Sequence, residues 1–274
     1  MDNTFVRVLE KDLAFFRIPA FAATDLVVHG FTTRGGGVSS VPYASLNMAL
    51  HVGDEAANVL ENRARACWAL GIEAEAMVVG EQVHGDVVGV ITAAEAGRGA
   101  KTQAEALPGT DALITQAPGV PLSIYCADCA PIFLLDPVRR AVGLAHAGWQ
   151  GTAIKIGKKT VRQMVEVYGA DPADLLAGVG PCIGPCCYTV GADVAEQFQE
   201  NFPSHPVLTK SQEPDKWQLD IWQANKIALM EAGVREENIA IAGVCTSCHN
   251  DQLFSYRAEK ELTGRMAAII MLKG

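Results

Sequence analysis

His84, Cys129 and His146 together read as the donor set of a zinc site without a fourth protein ligand. Each sits in a short segment of its own: Gln82-Val83-His84-Gly85, Ala127-Asp128-Cys129-Ala130-Pro131 and Ala145-His146-Ala147-Gly148-Trp149. Two imidazoles and a thiolate suit zinc, and three ligands leave the last tetrahedral position to water or substrate. Structural zinc sites are usually closed by four protein ligands, so an open site points to chemistry. Residue types alone leave a second reading open, a core cysteine beside two hydrogen-bonded histidines. Cys129 and His146 are close enough in sequence to end neighbouring strands, whereas His84 comes from a distant segment.

Several other residues could join such a site. Asp128, next to Cys129, reads as a proton-transfer group beside water at the metal, or as the cap of the turn before Pro131. Arg34, followed by Gly35-Gly36-Gly37, could set a guanidinium fork against phosphate or ribose; it also reads as an exposed arginine on a glycine turn. After His146, Gly148-Trp149-Gln150-Gly151-Thr152 suggests a strand, a turn and a helix N-terminus, a place for an anion or simply a turn capped by Thr152. The pairs Cys126-x-x-Cys129 and Cys245-x-x-Cys248 allow a redox dithiol or a four-cysteine zinc site. That grouping would take Cys129 and leave His84 and His146 unexplained. Cys182, Cys186 and Cys187 read as structural. None of the six histidines forms a His-x-His pair, which argues against a multicopper cluster. A single Cu2+ ion could still take the same ligands as Zn2+.

The composition sets the frame. Of 274 residues, 49% are hydrophobic and 19% charged, the balance of a folded core and not of a disordered chain. A net charge of -9 argues against nucleic acid or an anionic membrane as the main partner. The start, Met1 to Glu10, is polar and has no apolar core of a signal peptide, and no stretch is long enough to span a bilayer. The eight cysteines are then expected as reduced thiols in the cytoplasm.

The elements that must position these side chains alternate. Asp54 reads as a helix cap, followed by Val59, Leu60, Arg63, Cys67 and Leu70 at helical spacing, with Gly71 as the stop. A second helix is expected from Thr152 to Gly169, a third over Asp193 to Phe202 and a fourth over Asp220 to Ala232. Short apolar runs predict buried strands at 76–79, 87–91, 122–125, 132–135, 141–145 and 239–244. Ala104 to Gly109 and Pro203 to Asp215 read as loops. Neither resembles a domain boundary, so a single domain over residues 1–274 is expected, of α/β or α+β class.

The motifs carry a resemblance. Phe31-Thr32-Thr33-Arg34-Gly35-Gly36-Gly37-Val38-Ser39, Ser45-Leu46-Asn47 with His51-Val52-Gly53-Asp54, and Gln82-Val83-His84-Gly85 resemble the YfiH/laccase-domain family. So do Gly109-Thr110-Asp111-Ala112, Ala127-Asp128-Cys129-Ala130-Pro131, His146-Ala147-Gly148-Trp149-Gln150-Gly151-Thr152 and Gly180-Pro181-Cys182-Ile183-Gly184. Phe254-Ser255-Tyr256-Arg257 and Thr263-Gly264-Arg265 complete the ordered series.

The resemblance implies central mixed β-sheets flanked by helices. It implies a zinc-dependent purine nucleoside phosphorylase acting on adenosine, inosine, guanosine and methylthioadenosine, with adenosine deaminase activity. The metal ligands carried over are His84, Cys129 and His146; beside them Asp128 is expected, from its place next to Cys129, as the catalytic carboxylate. Arg34, Asn47 and Gln82 become contacts to phosphate or nucleoside. Two other roles stand beside this one, a hydrolase editing peptidoglycan precursors and a zinc-binding structural module. Gln150 and Ala258 depart from the family pattern, each removing a positive charge that phosphate could use.

Overall fold

Strands buried on both faces read as unbroken apolar runs, and the central strands of this protein do so for that reason. The structure, a computed structural model, describes residues 4–274; the first three residues of the polar start lie outside it. The described chain opens with β1 (Val6–Glu10), β2 (Leu13–Arg17), α1 (Pro19–Ala22) and β3 (Val27–Thr32). Helix α2 (Ala56–Leu70) leads to β4 (Val78–Val79), β5 (Val88–Ile91) and β6 (Ala112–Thr115). Next come β7 (Leu122–Cys126), β8 (Ala130–Asp136), β9 (Ala141–Ala147), α3 (Trp149–Ala153), α4 (Ile156–Tyr168) and β10 (Leu176–Val179). The remainder is β11 (Thr189–Val190), α5 (Ala192–Asn201), β12 (Leu208–Lys210), β13 (Trp217–Leu219), α6 (Ile221–Glu231), β14 (Ile239–Ile241) and β15 (Met266–Leu272).

Among the described residues these strands form three sheets. One has the order β1-β2-β3-β15-β7-β4, a second β14-β10-β8-β9-β6-β5, and a small third β11-β13-β12. The two large sheets are mixed: β4 runs parallel to β7, β5 to β6 and β10 to β14, among otherwise antiparallel neighbours. They stack face to face. Side-chain alternation sends Leu122 and Ile124 of β7 into the space between the sheets, where they share a core with Phe133 of β8 and Leu144 of β9. Tyr125, one residue on, faces outward and packs with Ala66, Cys67 and Leu70 of α2. On the far side, Ile132 and Leu134 of β8 pack with Ile156, Val161 and Met164 of α4 and with Ile227 of α6. The expected central mixed sheets flanked by helices are present, in a helix–sheet–sheet–helix stack.

Two helix boundaries differ from expectation. The helix expected from Thr152 to Gly169 is two helices, parted at Lys155, whose φ of +58° is left-handed. Thr152 is fully buried, donating its hydroxyl to the Ala147 carbonyl (3.3 Å) and accepting from the Asn225 amide (3.1 Å), so it braces α6 against β9 and does not cap a helix. Glu55, not Asp54, precedes the first turn of α2, and the Asp54 carboxylate accepts from Ser39 and Asn47 instead. Gly71 stops α2 with a φ of +70°, a conformation glycine adopts without cost.

Candidate metal centre

The turn from β7 to β8 passes from one large sheet to the other, and Cys129 lies in it. His146 stands on β9 opposite Pro131 of β8, one residue beyond that strand's first position. His84 arrives on the loop after β4, the strand that borders β7. Three segments far apart in sequence thus end at one place, and the donor atoms of His84, Cys129 and His146 lie within 4.8 Å of one another. The Cys129 Sγ to His84 Nε2 distance is 3.8 Å, close to the roughly 3.6 Å edge of a tetrahedron with usual zinc–nitrogen and zinc–sulfur bonds. The residues fit the ion. His146 is buried and His84 exposed, so the group opens to solvent on the His84 side.

Space for the ion depends on Gly148. A Cβ there would stand 2.6 Å from His84 Cδ2 and 3.1 Å from Cys129 Sγ, so any side chain would push the ligands apart.

Asp111 organises the group. This fully buried carboxylate accepts backbone N–H bonds from Val83 (3.1 Å), His84 (3.0 Å) and Gly85 (2.8 Å), and it pairs with His146 Nδ1 at 2.9 Å. The first three bonds hold His84 in a left-handed conformation (φ +62°) that a free chain visits rarely. The fourth leaves His146 Nε2 to the metal position, the usual way a carboxylate orients a ligating histidine. Burial alone would raise the Asp111 pKa, but the His146 ring and the N–H donors outweigh it and keep the carboxylate ionised.

Cys129 and His146 each favour the other's charged form. Burial opposes the thiolate, yet the neighbouring imidazolium pulls Cys129 down to about 6. Burial likewise opposes the imidazolium, yet the thiolate and Asp111 raise His146 to about 9. Deprotonated sulfur is the form a metal needs.

Asp128, also left-handed at φ +83°, adjoins this group with both carboxylate oxygens engaged. Oδ1 accepts from the Thr246 hydroxyl (2.6 Å) and Oδ2 from the Arg257 backbone N–H (2.7 Å). Arg257 and Arg265 stand on the same side: the Asp128 and Cys129 charges act on Arg265, while Arg257 reaches the carbonyls of Cys187 and Thr189 at 3.3 Å.

The remaining sequence-predicted residues serve neighbouring loops. The Arg34 guanidinium bonds the Ala44 carbonyl and the Glu259 carboxylate (3.0 Å) and lies over the Phe254 ring. Asn47 is fully buried, its amide shared among Ala49, Asp54 and Arg265. Gln82 pairs both ends of its amide with the Tyr125 backbone at 2.8 Å, tying the His84 loop to β7. Cys126 is buried and stands outside the three-ligand group. Asp111 carried no assigned role in the sequence reading, although its Gly-Thr-Asp-Ala block was visible.

Comparison with known proteins decides the family. Residues 28–273 match a family model described as multi-copper polyphenol oxidoreductase laccase. The chain belongs to this laccase-like, YfiH-type family. It is 41% identical to the purine nucleoside phosphorylase YlmD of Geobacillus stearothermophilus over 253 residues, covering 92% of this chain and 91% of the relative. It is 34% identical over 227 residues to adenosine deaminase RL5 of an unknown prokaryotic organism, covering 82% and 86%. The crystal structure of YlmD from Geobacillus stearothermophilus superimposes with a TM-score of 0.93 at 38% identity, covering 100% of both chains. These relatives support a nucleoside-processing enzyme. Among the described residues no helix is long and apolar enough to cross a membrane.

Proposed function

We propose that this chain is a cytoplasmic, single-domain, zinc-dependent purine nucleoside phosphorylase with a second, adenosine deaminase activity. Adenosine, inosine, guanosine and methylthioadenosine are its nucleosides. The observation that carries the reading is the open three-ligand group, in a chain similar to proteins named for both reactions. Zn2+ is the ion its donor set favours, with Cu2+ a competitor for the same ligands. When bound, zinc supplies Lewis-acid polarisation of an oxygen in the site.

The chain's own residues do the rest. In phosphorolysis an oxygen of hydrogen phosphate bonds to ribose C1′ as the bond to the base breaks, and the base nitrogen ends with the proton that the phosphate gives up. Arg257 and Arg265 supply positive charge beside the group, and Arg34 joins them where phosphate displaces Glu259. Asn47 and Gln82 act by holding the loops that frame the nucleoside. In deamination water adds to the purine carbon and ammonia leaves. Asp128 accepts a proton from the attacking water and delivers one to the amine as it leaves, using the lone pairs its two hydrogen bonds leave over.

The deciding assay is base release from inosine and adenosine, with and without phosphate. The reading predicts ribose 1-phosphate and free base only with phosphate, and ammonia from adenosine without it. Base release independent of phosphate would make the protein a hydrolase. No turnover by the zinc-loaded protein would make it a structural module.

A further inference from the structure

Four cysteines outside the candidate centre converge on one point. Cys186 and Cys187 follow the Gly180-Pro181-Cys182-Ile183-Gly184 turn, and Cys245 and Cys248 form a Cys-x-x-Cys turn after β14. Their four sulfurs lie within 4.8 Å of one another. Cys248 Sγ is 3.5 Å from Cys186 Sγ and 3.4 Å from Cys187 Sγ. A disulfide requires about 2.05 Å, and Cys248 could close only one of these two contacts. In a tetrahedral tetrathiolate with zinc–sulfur bonds of about 2.3 Å, neighbouring sulfurs stand about 3.8 Å apart. Both Cys248 contacts lie close to that edge and far from a disulfide bond.

The backbone is also arranged for it. The two segments meet in a short parallel bridge, with Cys182 N–H donating to Val244 O (3.3 Å) and Thr246 N–H to Cys182 O (3.1 Å). Backbone N–H groups of Gly184 and Cys248 point at Cys245 Sγ, the former at 3.2 Å. Such bonds offset charge on a metal-bound sulfur. The sequence grouping of Cys126 and Cys129 with Cys245 and Cys248 is thereby replaced by a different set of four.

We infer that Cys186, Cys187, Cys245 and Cys248 bind a second zinc ion in a closed, all-sulfur site that clasps the two loops together. The clasp secures the surroundings of Asp128: Thr246, between the two clasp cysteines, holds Asp128 Oδ1, and the Cys187 carbonyl accepts from the Arg257 side chain. Closing a connection of about 60 residues with an ion removes much freedom from the unfolded chain. This site stands whether or not the nucleoside reading does.

The test uses reduced, chelator-stripped protein reloaded with zinc, with zinc per chain read by elemental analysis. His84→Ala should retain one ion per chain, and adding Cys245→Ser and Cys248→Ser should remove it. X-ray absorption on zinc-loaded His84→Ala should show four sulfur neighbours at about 2.3 Å. If His84→Ala does not fold, Cys129→Ala serves in its place. Loss of all zinc from the single variant, nitrogen or oxygen neighbours in its spectrum, or a Cys248 disulfide in the mass of purified protein alkylated without reduction would each overturn the inference.

Discussion

The two thiol-bearing regions differ in what surrounds their sulfurs. The His84–Cys129–His146 group has three donors, an exposed ligand and a buried carboxylate, Asp111, that orients two of its members. The Cys186–Cys187–Cys245–Cys248 group has four donors, with backbone N–H groups behind Cys245. One is short of a ligand and aimed; the other is saturated and tethered. A fold that places both within reach of Asp128 separates holding from reacting, because an ion with four sulfurs has no position to offer substrate.

Breaking Asp111 should produce the largest contrast. Asp111→Ala strands His146 and three N–H donors in a buried site, and we expect about 3–5 kcal/mol lost stability, read by denaturant unfolding. Zinc should leave the open group and stay at the clasp. Asp128→Asn comes next. The amide can keep both bonds by turning its oxygen to Arg257 N–H and its NH2 to the Thr246 oxygen, so fold and zinc should persist. Adenosine deamination should fall ~10²–10⁴-fold, with phosphorolysis less affected. Full activity in both assays would remove Asp128 from the chemistry.

A smaller effect is expected from Arg34→Ala. Loss of a charge-assisted contact to phosphate should raise the half-saturating phosphate concentration by about 1.5–3 kcal/mol in free-energy terms, with zinc content unchanged. Unchanged phosphate dependence would confine Arg34 to the Glu259 and Phe254 contacts. The mildest test is pH. Without metal, His146 keeps its proton up to about 9, and zinc must displace it. Zinc affinity of the open group should be full above that pH and fall about tenfold per unit as pH drops toward 6. Below about 6 Cys129 also takes a proton and the slope steepens. Zinc titration of the Cys245→Ser, Cys248→Ser protein at several pH values measures this directly.

Much of this was legible in the sequence because it was written in local signals. The core strands β7, β8 and β9 are two-sided apolar runs, and Gly71 ends its helix as expected. The first strands were missed because β1 is largely exposed and mixed in polarity; β15, an unbroken apolar run, carried the same local signal as the core strands. The three candidate metal ligands stood out by residue type. Asp111 did not, since a lone aspartate after Gly-Thr reads as a turn until its four bonds are seen. The second cysteine group was hidden for a related reason: no spacing rule joins Cys186-Cys187 to Cys245-x-x-Cys248 across the chain, whereas the nearer Cys126 offered a misleading partner.

The central claim is that reaction belongs to the open group and support to the closed one. Phosphate-dependent base release from inosine by Cys129→Ala, with zinc content measured on the same sample, tests it most directly. The account predicts a folded protein that keeps its clasp zinc and releases no base. Turnover at the rate of the unaltered protein, with the open group's zinc absent, would contradict it.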